Sequence, residues 1–167
     1  MIIRAVPTPR IASRFRFFFP RCVALLALLA PTAIAFAAED IVDPCKLVTA
    51  TEAQALLGSP ATLTGMRPPS RPDKRPARIC SVRGQNGKSL TIYAGHQTKD
   101  KFAHESAGKE SLAGIGDAAY AVPPGIIAFL KGDTSVMLQA IGLDPSEATP
   151  AFRARMKTLA VAAASRL

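Results

Sequence analysis

Tryptophan is absent from this 167-residue chain, and tyrosine and histidine occur twice each. With only 6% aromatic residues, the chain lacks the interleaved stacking platforms on which single-stranded nucleic acid is held. Acid is missing from residues 1–37, which carry five arginines and five of the eight phenylalanines. The formal charge of +9 is therefore concentrated at one end. The 21 basic residues less those five leave 16 against 12 acids, a net of +4 for residues 38–167. That modest balance does not describe a nucleic-acid protein.

No apolar run is long enough to span a bilayer. Residues 23–37 form the longest one, about 15 residues against the ~18–20 that the hydrocarbon requires. Arg4, Arg10, Arg14, Arg16 and Arg21 precede it, and Ala35-Phe36-Ala37 closes it before Glu39 and Asp40. A positive start, a short apolar middle and a small-residue end make a secretory signal. Cleavage is expected after Ala37, with Ala38 or one residue either side as the alternatives. No consecutive arginine pair supports the twin-arginine route. Cys22 opens the apolar run, whereas a lipid-bearing cysteine would close it, so Cys22 is expected to leave with the signal.

Cys45 and Cys80 then remain. In an oxidising compartment two cysteines without a thiol-dependent motif read as a disulfide, with a single possible connectivity. A structural zinc site would need a second ligand pair that the sequence does not offer.

The mature chain, residues 38–167, reads as one disulfide-stapled α+β domain. Asp43-Pro44 starts a short turn through Leu47. Thr49 and Glu52 form a capping box for a helix over 50–57, which Gly58 stops. A short strand over 61–65 leads into a loop over 67–76 with prolines at 68, 69, 72 and 76. Strands over 79–83 and 89–95 flank the turn Gly84-Gln85-Asn86-Gly87-Lys88. A short helix over 100–107 follows, then strands over 118–122, 125–131 and 134–141, the last two joined at Gly132-Asp133. From about 147 to 167, Phe152, Met156, Leu159, Ala160, Ala163 and Leu167 recur at helical spacing. The order is α-βββ-α-βββ-α, an antiparallel sheet of about six strands with helices on one face.

Two phosphate-type motifs fail on context. Gly87-Lys88-Ser89 ends like a phosphate-binding loop, but Val82 stands where the first glycine belongs, and a hairpin surrounds it. Gly114-x-Gly116-x-x-Ala119 precedes a strand with no βαβ unit, so its glycines serve a tight turn in which Asp117 bonds backbone amides. His96 and His104 are the only histidines, and neither sits in a recognised triad pattern. Asp117 and Asp133 occupy turns, where acids commonly cap or solvate. No catalytic residue, metal ligand or cofactor site is assigned.

Six cations lie within 17 residues: Arg67, Arg71, Lys74, Arg75, Arg78 and Arg83, opposed by Asp73 alone. Such a segment can meet phosphate-rich glycolipid, an anionic wall polymer or an acidic partner. A solvated loop that keeps the protein soluble is the competing reading. Tyr93 and Tyr120 each offer a flat amphipathic contact, whose convergence depends on the fold.

Several pieces in order resemble a family of small bacterial exported proteins and lipoproteins known only as a domain of unknown function. They are Asp43-Pro44-Cys45-Lys46-Leu47-Val48-Thr49 with its helix to Leu57-Gly58, Cys80 entering a strand, Gly114-Ile115-Gly116-Asp117-Ala118-Ala119-Tyr120, and the closing Ala164-Ser165-Arg166-Leu167. The resemblance spans most of residues 43–167. It implies an α+β envelope protein with bridged cysteines and no established catalysis. Lacking a lipid-attachment cysteine, this chain departs towards a soluble periplasmic or secreted form.

The expected function is therefore a non-enzymatic exported binding or accessory protein of the bacterial envelope. Its candidate surface comprises the six cations with Asp117 and Tyr120. Its partner would be an anionic envelope component or another envelope protein. Two alternatives stay open: an envelope hydrolase using a histidine and a turn carboxylate, and a small inhibitor or assembly factor.

Overall fold

The computed structural model describes residues 42–67 and 77–167. The expected signal, residues 1–37, and three cations of the basic segment, Arg71, Lys74 and Arg75, lie outside the described residues. Among the described residues no helix is long and apolar enough to cross a membrane.

Local chemistry sets the first elements. Asp43 Oδ1 accepts the Cys45 amide at 2.9 Å, and the 3-10 turn Pro44–Lys46 follows. Thr49 then caps α1 (Ala50–Leu57) by a reciprocal box: the Glu52 amide donates to Thr49 Oγ1 at 3.2 Å, and the Thr49 amide donates to Glu52 Oε2 at 2.8 Å. Gly58, at φ 71°, ends the helix in the left-handed conformation that a β-carbon disfavours.

Seven strands follow: β1 (Ala61–Arg67), β2 (Arg78–Gly84), β3 (Ser89–His96), β4 (Glu110–Ser111), β5 (Ala118–Val122), β6 (Ile126–Lys131) and β7 (Thr134–Ile141). They form one antiparallel sheet in the order β1-β2-β3-β7-β6-β5-β4. Two meanders thus meet where β3 pairs β7 over eight residue pairs, from Ser89↔Ile141 to His96↔Thr134. Between β3 and β4 runs α2 (Lys99–Ser106), capped by Thr98. After β7 come a 3-10 turn, Pro145–Glu147, and α3 (Pro150–Ser165), with Thr149 as cap and Pro150 at its first position.

Two features depart from the expected order. The seventh strand, β4, is a two-residue, exposed edge pairing Glu110 with Ala121 and Ser111 with Tyr120. It is too short for alternation to reveal it. The closing helix begins at Pro150 rather than near residue 147, because Asp144 and Glu147 cap a separate 3-10 turn.

The helices also occupy both faces of the sheet, whereas one covered face was expected. On the core face, Val82, Ile92, Phe129 and Leu138 pack with Leu47, α1 residues Ala53 and Leu56, and α3 residues Phe152, Met156 and Leu159. On the reverse face, Phe102, the single buried residue of α2, joins Tyr120, Ala128 and Leu130. This explains the unbroken apolar run of β6: Ile127 and Phe129 serve one layer, and Ala128 and Leu130 serve the other.

Candidate functional site

The disulfide joins Cys45 of the first 3-10 turn to Cys80 of β2, with Cα atoms 5.2 Å apart. It fastens the start of the domain to the sheet. Cys80 is completely buried, so the bridge forms part of the core rather than of any surface site.

Arg78 and Arg83 of the basic segment lie apart on β2. Arg67 ends β1 opposite Ile79, and Arg78 opens β2. Arg83 lies exposed towards the far end of the same strand, ~17 Å from Arg78 at the usual rise per residue.

Asp117 and Tyr120 have structural engagements of their own. The Asp117 amide donates to the Leu130 carbonyl at 2.7 Å, and its Oδ2 accepts the Gly132 amide at 2.8 Å. Asp117 thereby ties its own turn to the β6–β7 turn. Neighbouring Gly116, at φ 56°, lies so close to β6 that a β-carbon would stand 2.4 Å from the Leu130 carbonyl oxygen. Glycine is required there by contact as well as by conformation. Tyr120 is 7% exposed; its ring lies 5.2 Å from that of Phe102, and Lys109 Nζ stands 4.2 Å above it.

What the fold does assemble is an open cleft of about 460 Å³ on the reverse face, between the sheet and α2. Both tyrosines line it, with Phe102 and Met137, so the flat contacts that sequence could not relate to each other belong to one cavity. Tyr93 on β3 stands directly across from Met137 on β7. The polar rim is cross-linked: Gln97 Nε2 donates to Glu105 Oε2 at 2.8 Å, and Lys101 Nζ approaches Glu105 Oε1 at 3.7 Å. Ala77, next to Arg78, borders the cleft.

Met137, Gln97 and Phe102 were not anticipated as lining residues. Alternation along 89–95 does separate Tyr93 from buried Ile92, yet the long-range β3–β7 pairing that adds Met137 leaves no local signal.

His96 is the last residue of β3 and also lines this cleft, with Nδ1 3.5 Å from Asp133 Oδ2 in the β6–β7 turn. His104 lies exposed on α2. The hydroxyl of Ser135, across the sheet in the same cleft, donates to the Gly95 carbonyl at 3.2 Å. Among the described residues no three His, Cys, Asp or Glu side chains come together as a metal-binding group. Lys88, from the phosphate-like motif, forms an ion pair with Glu147 at the β2–β3 turn.

Comparison with protein-family models, with curated proteins and with solved structures found no significant match for this chain.

Proposed function

We propose that this chain is a non-enzymatic exported protein, periplasmic or secreted, that binds an anionic component of the bacterial envelope. The Cys45–Cys80 disulfide carries the reading, because such a bridge is kept in an oxidising compartment. The arginine-rich, acid-free start and the small-residue boundary at Ala37 support export. The ordered resemblance to small exported envelope proteins supports the same reading. Ligand contact falls to the reverse-face cleft: Tyr93 and Tyr120 supply flat apolar surface, and Lys101 on the rim supplies positive charge.

An intact mass measured after native expression, with and without thiol alkylation under non-reducing conditions, tests the compartment. A chain starting near Ala38, two hydrogens light and inert to alkylation, is expected. A full-length mass with free thiols would overturn the proposal.

The second reading, an envelope hydrolase, rests on one observation: His96 and a turn carboxylate, Asp133, do meet at 3.5 Å beside a cleft. Against it, both cysteines of residues 38–167 are consumed in the bridge, and Ser135 directs its proton to the Gly95 carbonyl. Turnover of an envelope ester or glycoside, abolished in His96→Ala, would establish this reading in place of the first.

A further inference from the structure

A second cleft, of about 300 Å³, lies on the other side of the molecule, where the β5–β6 connection meets the start of α3. Its size is at the lower end of the range for small-molecule sites. Its apolar lining comes from Leu112, Ala121, Ile127 and Met156 with the consecutive prolines 123 and 124. Such a lining offers hydrogen-bonding partners to few ligand groups and suits a hydrocarbon chain.

The rim has a different character. Arg153 and Lys157, four residues apart on α3 and therefore on one helical face, both border the cleft and are exposed. Neither forms an ion pair with a described residue, whereas Lys88, Lys101 and Arg166 are each matched to a glutamate. Pro150, the first residue of α3, borders the same cleft, so the positive end of a 16-residue helix adds to the field. Glu110 of β4 is the one opposing charge on this rim.

An apolar trough under two unmatched cations and a helix N-terminus has the two-part chemistry of an amphiphile. We propose that this cleft binds a single-chain anionic amphiphile of the fatty-carboxylate class. The hydrocarbon lies along Leu112, Ile127 and Met156, and the carboxylate is held between Arg153 and Lys157. The site is separate from the reverse-face cleft and does not depend on the envelope reading.

The probe is dodecanoate, titrated calorimetrically into the purified protein below its micellar concentration, with dodecyltrimethylammonium as the oppositely charged control. Dodecanoate is expected to bind at one site and the cationic amphiphile to bind at least about tenfold more weakly, by loss of the charge-assisted contacts. Double reversal, Arg153→Glu with Lys157→Glu, should weaken dodecanoate by about tenfold or more. Arg155→Glu makes one such reversal, against two in the double variant, on the same helix outside the cleft, and should alter binding by less than about twofold, because exposed charges at a distance are screened. Glu110→Gln should tighten binding by about two- to fivefold, a gain that no unfolded variant could produce. Absence of dodecanoate binding, equal binding of both amphiphiles, or equal losses in the Arg155 and the double variants would each overturn the proposal.

Discussion

Arg166 grips Glu52 with both terminal guanidinium nitrogens, Nη2 donating to Oε1 at 2.6 Å and Nη1 to Oε2 at 3.0 Å, across 114 residues of chain. The same Nη1 donates to the Leu47 carbonyl at 2.6 Å. One side chain at the end of α3 thus holds both the capping glutamate of α1 and the turn before it. A bidentate pair of this kind is the strong form of surface ion pair.

Acid should weaken this clasp. The hydrogen bond from Arg166 is the main cause that holds the Glu52 carboxyl at about 2, against an ordinary 4.5. A depressed folded-state pKa stabilises the fold fully above pH 4.5 and is lost as the pH falls towards 2. With 28% of Glu52 and 33% of Arg166 in water, the clasp contributes about 1–2 kcal/mol. Glu52→Gln should lower the melting temperature by about 3–8 °C at pH 7, and the gap from wild type should close near pH 2. Glu147, held below its ordinary range mainly by Lys88, shifts stability in the same direction.

Reduction of the disulfide should destabilise the domain more. Cys45 and Cys80 are separated by 35 positions, and closing such a loop stabilises by about 3–4 kcal/mol on the chain-entropy model. Urea unfolding of the Cys45→Ala, Cys80→Ala double variant, compared with the oxidised protein, measures this directly.

Gly116→Ala should be far costlier than Gly108→Ala, although both glycines have positive φ. At Gly108 the β-carbon would meet nothing within 4 Å, so only the conformational penalty of about 1 kcal/mol applies. At Gly116 the Leu130 carbonyl oxygen is in the way, and displacing β6 raises the loss to about 2–4 kcal/mol. The midpoints of urea denaturation report the difference.

Phe102→Ala should release α2 from the reverse face. Phe102 is the only buried residue of that helix and packs with Tyr120, Ala128 and Leu130. Truncating a buried phenylalanine costs about 3–5 kcal/mol where the whole fold depends on it. Here the loss should be largely local, seen as faster amide exchange over α2 and a lost reverse-face cleft, while α1 and α3 keep their protection.

Legibility in the sequence followed the range of the interaction. Thr49, Glu52 and Gly58 act within one helix, so the bounds of α1 were readable to the residue. The hairpins at 84–88 and 132–133 were readable for the same reason. The candidate site was only partly visible: Tyr93 and Tyr120 stood out by rarity, but their common cleft did not. Arg78 and Arg83, neighbours in the basic segment, are held apart along one strand.

Capping, turn chemistry and the alternation of apolar side chains are short-range, and with them the chain's own residues dictated most of its elements and an antiparallel α+β domain. The pairing of β3 with β7 is a contact between segments some 40 residues apart, selected by the burial of two layers at once. Only that choice could send α2 to the reverse face, bring Met137 across from Tyr93, and set His96 beside Asp133. A strand's own pattern says which side chains share a face; the partner strand on that face is decided by packing the whole sheet.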